Sequence, residues 1–373
     1  VEARLSDAQF FWKKDKSKNL IKQMGKLKKI VFYDKLGTIY DKTLRIRNMS
    51  SLLSDELNIS KEKMQIAASI SKSDLCSDLV GEYPELQGVM GKYFAIAQGF
   101  EEDVANAVSD HYLPIGISSP VPKKPISYSI SIADKLDSLV GFFLINEKPT
   151  SSKDPFALRR AAISLLRIII ENKLTIKLRD ILSYSIRLYK EQGVEITNLE
   201  AEKEILIFLK ERMRNILKEK KIKSDIIEAS ISSHVGDNYL DLFNKNILMN
   251  KYISKEVGRN AVSSYKRASN IIDNLEKEIE GRPDAVLFRQ KEEKALYEKI
   301  NEIRKAFTVK EDKKNYENLL IQLSETKTCT DNFFDNVKVN DENKDIKNNR
   351  LELLKMQCNT FNNFINFSKL EGL

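Results

Sequence analysis

The stretch DPFALRRAAISLLRIII, from Asp154 to Ile170, decides the fold class. Its apolar residues recur every three or four positions, which is the period of an amphipathic α-helix. Asp154 can cap the first turn and Pro155 is tolerated there, so we expect a helix that starts at this aspartate. The same period returns along most of the chain, and the sequence therefore predicts an all-α protein.

This helix also carries cations that could bind an anion. On a helical wheel its buried side consists of Leu158, Ala161, Ala162, Leu165 and Ile169. A second face carries Arg160, Ser164 and Arg167, and Lys153 and Arg159 lie near the start of the helix. The free N–H groups and positive dipole end of a helix suit a phosphate, so these four basic residues are candidate phosphate ligands. The alternative is that they pair with acids of neighbouring helices and hold two domains together.

The composition fits a folded helical protein with a polyanionic partner. Of the 373 residues 42% are apolar and 31% are charged, with only 13 glycines and 8 prolines. The formal net charge of +8 would draw the protein toward RNA, and that attraction should weaken as salt rises. A skewed coding composition, rich in Lys, Ile and Asn, would explain the same charge. Charge alone therefore does not decide the function.

The cysteines and the apolar stretches indicate in which cellular compartment the protein is expected. Cys76, Cys329 and Cys358 lie far apart and form neither a CxxC pair for zinc nor a disulfide framework, which favours a reducing cytoplasm. The longest apolar stretches are far shorter than the roughly 20 residues that span a bilayer, so we expect no membrane segment. The chain opens at Val1 without a Met or a signal-like region, and we expect it to be a piece of a longer protein.

Breakers divide the helical pattern. We expect a helical opening from Phe10 to about Asn48, then helices over 61–80, 88–98 and 101–112. A loop rich in proline, from Pro114 to Pro125, is the clearest internal boundary. Further helices are predicted over 130–145, 174–189, 201–220, 224–233 and 239–250, with a charged, solvated pair over 291–323.

Three separated sets of residues carry a resemblance to a known family. The first is KSDLCSDLVGEYPELQGVMGKYFA, from Lys72 to Ala95. The second joins HYLP (111–114), ADKLDSLVGFF (133–143) and KPTSSKDPFALRRAA (148–162). The third comprises FLKERMRNIL (208–217), YKRASNII (265–272), ALYEKI (295–300), FFDNVKVN (333–340) and NNRLELL (348–354). In this order they resemble the C-terminal half of the β subunit of the bacterial two-subunit glycyl-tRNA synthetase.

The resemblance implies that catalysis and tRNA binding are carried by two different subunits. In that family the α subunit holds the class II active site, with ATP and Mg²⁺, and the β subunit grips tRNA-Gly in an α2β2 heterotetramer. It implies a degenerate HD-like helical domain over 1–147, a helical linker over 148–235 and a DALR-like anticodon-binding domain over 236–373. The chain has no GxxxxGK[ST] loop and no HIGH-like or KMSKS-like segment. We therefore expect no catalytic residue and no cofactor in this chain.

A second candidate surface follows Tyr265. Tyr265, Ala268, Ile272 and Leu275 can point inward, which leaves Lys266, Asn270 and Asn274 as a polar stripe with Arg267 beside it. Lys and Arg can hold phosphates, and Asn can bind base edges in a single-stranded loop such as an anticodon. The alternative is an ordinary solvated surface helix. Arg350 is a further candidate RNA contact, for which the alternative is an ion pair, and the aromatics Phe333, Phe334, Phe361 and Phe364 are predicted mainly as core.

An HD-type metal-dependent phosphohydrolase is the alternative function. That class needs several histidines and aspartates, whereas this chain has two histidines, His111 and His234, neither followed by Asp. The carboxylates Asp74, Asp134 and Asp137 remain, but they more often cap or pair, and we expect no metal site. A third possibility is a purely structural module that binds the α subunit.

Overall fold

The fold is described here from a computed structural model of the chain. The structure describes residues 2–116, 118–150, 152–234, 236–275, 281–309 and 315–371. Two compact units divide the chain, one over residues 1–213 and the other over residues 214–373. The finer division at 147 and 235 predicted from the sequence stays a prediction, and residue 235 lies outside the described ranges.

The described elements of the first unit are nearly all helices. In chain order they are α1 (Glu2–Asp15), α2 (Leu20–Gln23), α3 (Ile39–Glu56), α4 (Lys61–Ile70), α5 (Asp78–Glu82), α6 (Val89–Ala97), α7 (Glu102–Asp110), α8 (Pro125–Leu144), α9 (Leu158–Glu171) and α10 (Leu178–Glu191). The exception is an antiparallel hairpin of β1 (Val31–Tyr33) and β2 (Gly37–Thr38), in which Val31 pairs with Thr38. The helix α11 (Ala201–Glu219) contains the division between the units.

The apolar helix α8 forms the centre of the first unit. It is buried along most of its length and packs against α3, α7, α9 and α10. Gly141 allows α10 to come close, because a Cβ at this position would overlap the hydroxyl group of Tyr189. That hydroxyl donates a hydrogen bond to the backbone carbonyl of Asp137 (2.9 Å). The central helix thus fixes where the polar residues of its neighbours lie.

The second unit is built around the helix over Glu256–Ile272, which is α14. Its further helices are α12 (Ser224–Ser233), α13 (Tyr239–Tyr252), α14 (Glu256–Ile272), α15 (Lys291–Phe307), α16 (Tyr316–Asn336) and α17 (Lys344–Asn362). The helix α14 packs against α16 and α17. A buried polar group joins these three helices: Ser264 Oγ lies 2.8 Å from both Thr326 Oγ1 and Thr330 Oγ1, and Gln357 Nε2 donates to Ser264 Oγ (3.0 Å). These hydrogen bonds favour one register of the three helices, because breaking them would leave buried hydroxyl and amide groups unpaired.

The all-α prediction is confirmed, with local corrections. The predicted helical opening is wrong over 31–38, where the hairpin lies, because Val31, Phe32 and Tyr33 favour strands and Gly37 takes a positive φ of 85°. The helix predicted over 61–80 is interrupted between Ile70 and Asp78. The loop predicted from Pro114 is confirmed, with α8 starting at Pro125. Within the described ranges, no helix is long and apolar enough to cross a membrane.

Candidate nucleic-acid interface

The carboxylate of Asp154 occupies the first N–H groups of α9. The side chain of Asp154 accepts hydrogen bonds from the backbone N–H groups of Leu158 (2.8 Å) and Arg159 (3.0 Å). The helix begins only at Leu158, after Ala157 at φ 54° in the left-handed region. Asp154 does accept from the first N–H groups of the helix, but the N-cap residue is Ala157. The expectations that the helix starts at Asp154, that Pro155 lies in its first turn and that its first N–H groups are free are wrong. An anion at this place must therefore bind through side chains.

Arg159 is committed to the loop before α9. Its guanidinium donates to the backbone carbonyls of Thr150 and Lys153, the latter at 3.4 Å, and lies 4.0 Å from the Asp154 carboxylate. The side chain of Lys153 is exposed and makes no hydrogen bond or ion pair with any described residue. Arg159 thus stabilises the loop, while the exposed ammonium of Lys153 can bind an anion from solvent.

Arg167 is also held in place. Its Nε donates to Glu171 one turn later (2.9 Å), and its Nη1 donates to the backbone carbonyl of Gly116 (3.3 Å). Its neighbour on the predicted polar face, Ser164, is buried and donates to the carbonyl of Pro114 (3.3 Å). The prediction that Ser164 lines the polar face is therefore only half right, because its hydroxyl joins α9 to the proline-rich loop.

Arg160 differs from these two arginines. Its side chain is exposed, and it forms no hydrogen bond or ion pair with any residue that the structure describes. It lines two neighbouring pockets, which share the walls Ala157, Arg160 and Ser164. Since its guanidinium has no internal acceptor, Arg160 is the best placed of the predicted cations to bind a phosphate.

The two pockets differ in character. The first, which we call the aromatic pocket, has a volume of about 420 Å³ and is lined by Tyr112, Pro114 and Phe156 among others. The second, the arginine pocket, has a volume of about 370 Å³ and is lined by Arg159, Ile163 and Arg167 among others. Both volumes lie in the roughly 300–1,000 Å³ range of small-ligand pockets. The face of α9 around Arg160 is thus concave, apolar in part and cationic.

On α8, between Asp134 and Ser138 of the aromatic pocket's lining, Asp137 forms a buried ion-pair cluster. Arg45 Nε lies 2.6 Å from its Oδ1 and Lys42 Nζ lies 3.1 Å from its Oδ2. Burial alone would raise the pKa of the Asp137 carboxyl, but Arg45 and Lys42 hold it below its ordinary value. The carboxylate is therefore an internal counterion for two cations.

Asp134 is neutralised in the same way. Its carboxylate lies 3.1 Å from Lys42 Nζ and 3.3 Å from Lys72 Nζ. Burial opposes ionisation of this carboxyl, yet the neighbouring lysines hold its pKa far below the ordinary value. Next to it, burial lowers the pKa of Lys135 to about 8, and its ammonium donates to the carbonyls of His111 (3.2 Å) and Leu113 (2.8 Å).

This arrangement does not fit a metal-dependent hydrolase. Asp134 and Asp137 are bonded to lysine and arginine, and Asp74 accepts from the backbone N–H groups of Gly88 (2.6 Å) and Gly91 (3.2 Å). His111 is buried with Nδ1 3.2 Å from the carbonyl of Ala107, and burial lowers its pKa well below the ordinary value. In the part of the chain that the structure describes, no group of three or more His, Cys, Asp or Glu could hold a metal ion.

In the second unit, α14 carries Lys266, Arg267 and Asn270 of the predicted polar stripe, whereas Asn274 lies beyond the end of this helix. Asn270 is exposed, and the half-buried side chain of Lys266 makes no hydrogen bond or ion pair with a described residue. Arg267 is engaged instead: it lies 2.6 Å from Asp331 and 3.6 Å from Asp335, and it covers the ring of Phe334 at 4.9 Å. The stripe therefore offers Lys266 and Asn270 to a ligand more readily than Arg267.

Arg350 lies inside the second unit. Only 4% of it is exposed, and it donates to Glu293 (2.9 Å), to Asp341 (2.8 Å) and to the carbonyl of Lys338 (2.9 Å). A phosphate could reach this guanidinium only by leaving the buried Glu293 without its cation. Arg350 thus lies in a buried ion pair, which was the alternative to RNA contact in the sequence analysis. We leave it out of the candidate interface.

The aromatic residues near the C-terminus are mostly internal. Phe333, Phe361 and Phe364 are at most 2% exposed, as the sequence predicted. Phe334 is half-buried under Arg267. Sequence reasoning missed the walls of the aromatic pocket, Tyr112 and Phe156, because they come from two loops whose approach no local pattern encodes.

Each unit thus carries a cation without an acid partner among the described residues, Arg160 in the first and Lys266 in the second. Clustered basic residues are a feature of nucleic-acid-binding domains. Comparison with known families makes the assignment specific. The model of the glycyl-tRNA synthetase beta subunit matches residues 1–232, and the model of the DALR anticodon binding domain matches residues 262–370. The chain belongs to the glycyl-tRNA synthetase beta subunit family.

Individual relatives agree with this assignment. The chain is 38% identical over 370 residues to the glycine–tRNA ligase beta subunit of Rickettsia africae (strain ESF-5). It is 36% identical over 373 residues to that of Clostridioides difficile (strain 630). Each match covers 99% of this chain and 53% of the relative. The chain thus spans about half the length of the relatives it matches.

Proposed function

We propose that this chain is the tRNA-binding part of the β subunit of a two-subunit glycine–tRNA ligase. It holds tRNA-Gly so that the 3′ end enters an active site on the α subunit, which carries ATP and Mg²⁺, in an α2β2 heterotetramer in the cytoplasm. The observation that carries the proposal is the match of the DALR anticodon binding domain to residues 262–370, a range that includes Lys266 and Asn270 on α14. Positioning of this kind accelerates a reaction without any catalytic group on this chain.

The charges support the binding of a polyanion at two places. Arg160 and Lys153 in the first unit, and Lys266 in the second, have side chains without an internal acid among the described residues. Each can neutralise a phosphate and release counterions. Asn270 beside Lys266 supplies an amide that can bind base edges in an unpaired loop.

Binding of tRNA to the chain tests this proposal directly. We expect fluorescently labelled tRNA-Gly to bind the 373-residue chain, with an affinity that falls steeply as salt rises. Lys266→Ala and Arg160→Ala should each weaken binding, whereas Arg187→Ala should not, because Arg187 on α10 lies 3.6 Å from Glu191 and lines neither of the two pockets. Salt-independent binding, or equal effects of all three variants, would contradict the proposal.

The two alternatives predict different outcomes. A structural module would co-elute with the α subunit and show no affinity for tRNA. A phosphohydrolase would cleave a phosphodiester and contain stoichiometric metal, which the pairing of Asp134 and Asp137 with lysine and arginine disfavours.

A further inference from the structure

The two pockets beside α9 adjoin each other, and the residues that line both of them form a ridge between them. Arg160 stands on this ridge with Ala157 and Ser164, and its guanidinium is exposed and has no partner among the described residues. A phosphodiester bound to Arg160 would have one pocket on either side of it. The two groups joined by that phosphodiester could then each enter a pocket.

The aromatic pocket has walls suited to a nucleobase. The ring of Phe156 stacks on Phe142, with centroids 3.9 Å apart and an interplanar angle of 12°. The ring of Tyr112 is fixed by Lys72, whose ammonium lies 4.1 Å from its centroid, and by the ring of His111 at 3.9 Å. Aromatic side chains that are held in place offer a stacking surface to a base with little loss of side-chain freedom.

The arginine pocket suits a second base. Arg159 and Arg167, which line it, are both anchored to backbone carbonyls, at Lys153 (3.4 Å) and Gly116 (3.3 Å) respectively. Their guanidinium planes are therefore oriented before any ligand arrives. Unstacked bases of RNA stack on such planes, and Ile163 adds an apolar wall.

We propose that these pockets take two consecutive unpaired nucleotides of the bound RNA, with their bases splayed apart and the connecting phosphodiester on Arg160. This inference rests on the proposed RNA-binding function and specifies what one of its surfaces recognises. Two bases stacked as in a helix cannot enter pockets on opposite sides of a ridge. The site therefore selects single-stranded RNA over a duplex.

The polar groups of the aromatic pocket add a base preference. Glu85 contributes an exposed carboxylate to its lining. Carboxylate oxygens accept hydrogen bonds from the exocyclic amino groups of adenine, cytosine and guanine, whereas uracil has no such amino group. A dinucleotide of adenine should thus bind better than one of uracil.

Calorimetric titration of the full chain with small probes tests the site. We compare ApA with adenosine 5′-(methyl phosphate), which has the same single phosphodiester charge but one base. The wild-type chain should bind ApA about tenfold more tightly than the methyl ester, and more tightly than UpU. Arg160→Ala should weaken both ligands, whereas Arg187→Ala should change neither.

Two further variants fill one pocket each. Ala161→Phe projects a ring into the aromatic pocket, and Ile163→Phe does so in the arginine pocket. Each should lower the affinity for ApA to that of the methyl ester, while urea unfolding shows that the variant is folded. Equal binding of ApA and the methyl ester by the wild-type chain would overturn the inference.

Failure of this site and failure of the proposed function give different results. Salt-sensitive binding of tRNA-Gly without any preference for ApA would overturn the two-nucleotide site and leave the proposed function intact. A preference for ApA without any affinity for tRNA-Gly would support the site and overturn the proposed function.

Discussion

Arg350 Nε donates to Glu293 Oε1 across 2.9 Å, and both side chains are buried. This pair joins α17 to α15. We expect Arg350→Met to lower the free energy of unfolding by roughly 3–5 kcal/mol, because it leaves Glu293 as a buried charge without a cation. Urea unfolding followed by circular dichroism measures the loss.

A double variant separates the pair from its surroundings. Adding Glu293→Gln to Arg350→Met removes the stranded charge and should restore part of the lost stability. The affinity for tRNA-Gly, measured where the protein is folded, should stay unchanged. A variant of Arg350 that loses tRNA affinity but no stability would show that this residue contacts RNA after all.

Asp154 stabilises α9 but also places a negative charge beside the arginines. Asp154→Ala removes the acceptor of the Leu158 and Arg159 N–H groups and should cost about 1 kcal/mol of stability. The same change removes a carboxylate 4.0 Å from Arg159, so the affinity for tRNA-Gly should rise. Urea unfolding and tRNA titration at low salt measure the two opposite effects.

Asp154→Asn is the matched control for this prediction. Asparagine keeps one of the two acceptor oxygens and loses the charge, so it should preserve part of the stability while still raising tRNA affinity. Unchanged affinity in Asp154→Asn would mean that the phosphates do not approach the start of α9.

The helices could be predicted from the sequence because their signals are local. The apolar period of α9 and the loop before α8 depend on neighbours within a few turns. The start of α9 could not be placed, because Asp154 reaches the N–H groups four and five residues onward rather than those of the adjoining turn. The hairpin over 31–38 was missed because a short apolar segment fits a helix or a strand equally well.

Whether a site residue could be predicted from the sequence depends on how far along the chain its partners lie. The exposure of Arg160 and Asn270 follows from the helical wheel, and the sequence indicated both. The burial of Arg350 depends on Glu293, which is 57 residues away, and the buried ion-pair cluster depends on Arg45 and Asp137, which are 92 residues apart. Such pairings are set by packing between helices, and no single-sequence pattern reports them.

Asp74 should make the stability of the first unit depend on pH. Burial raises its pKa to about 6, against the bonds from Gly88 and Gly91 and the charge of Lys72, all of which lower it. A carboxyl whose folded pKa is raised contributes stability that is fully present below its unfolded pKa of about 4 and is lost as pH rises through 6. The wild-type chain should therefore lose this contribution between about pH 4 and pH 6.

Asp74→Asn tests this effect because asparagine retains an acceptor for the two glycine N–H groups and cannot ionise. Relative to the wild-type chain, the variant should become more stable as pH rises from 4 to 7, as measured by urea unfolding at each pH. A stability difference that stays constant over this range would contradict the assignment of the titration to Asp74.

Lys266 and Arg267 are adjacent on α14 but should contribute unequally to RNA binding. Lys266 has no acid partner among the described residues, whereas Arg267 is neutralised by Asp331 at 2.6 Å. Lys266→Ala should therefore reduce the slope of log affinity against log salt by about 1, the contribution of one phosphate contact, and Arg267→Ala by much less.

In an Asp331→Asn background the guanidinium of Arg267 loses its main counterion, so Arg267→Ala should then cost more affinity than it does in the wild-type chain. Anisotropy titrations of labelled tRNA-Gly at four salt concentrations measure these slopes. Equal slopes for Lys266→Ala and Arg267→Ala in the wild-type background would show that the ion pair with Asp331 opens when RNA binds.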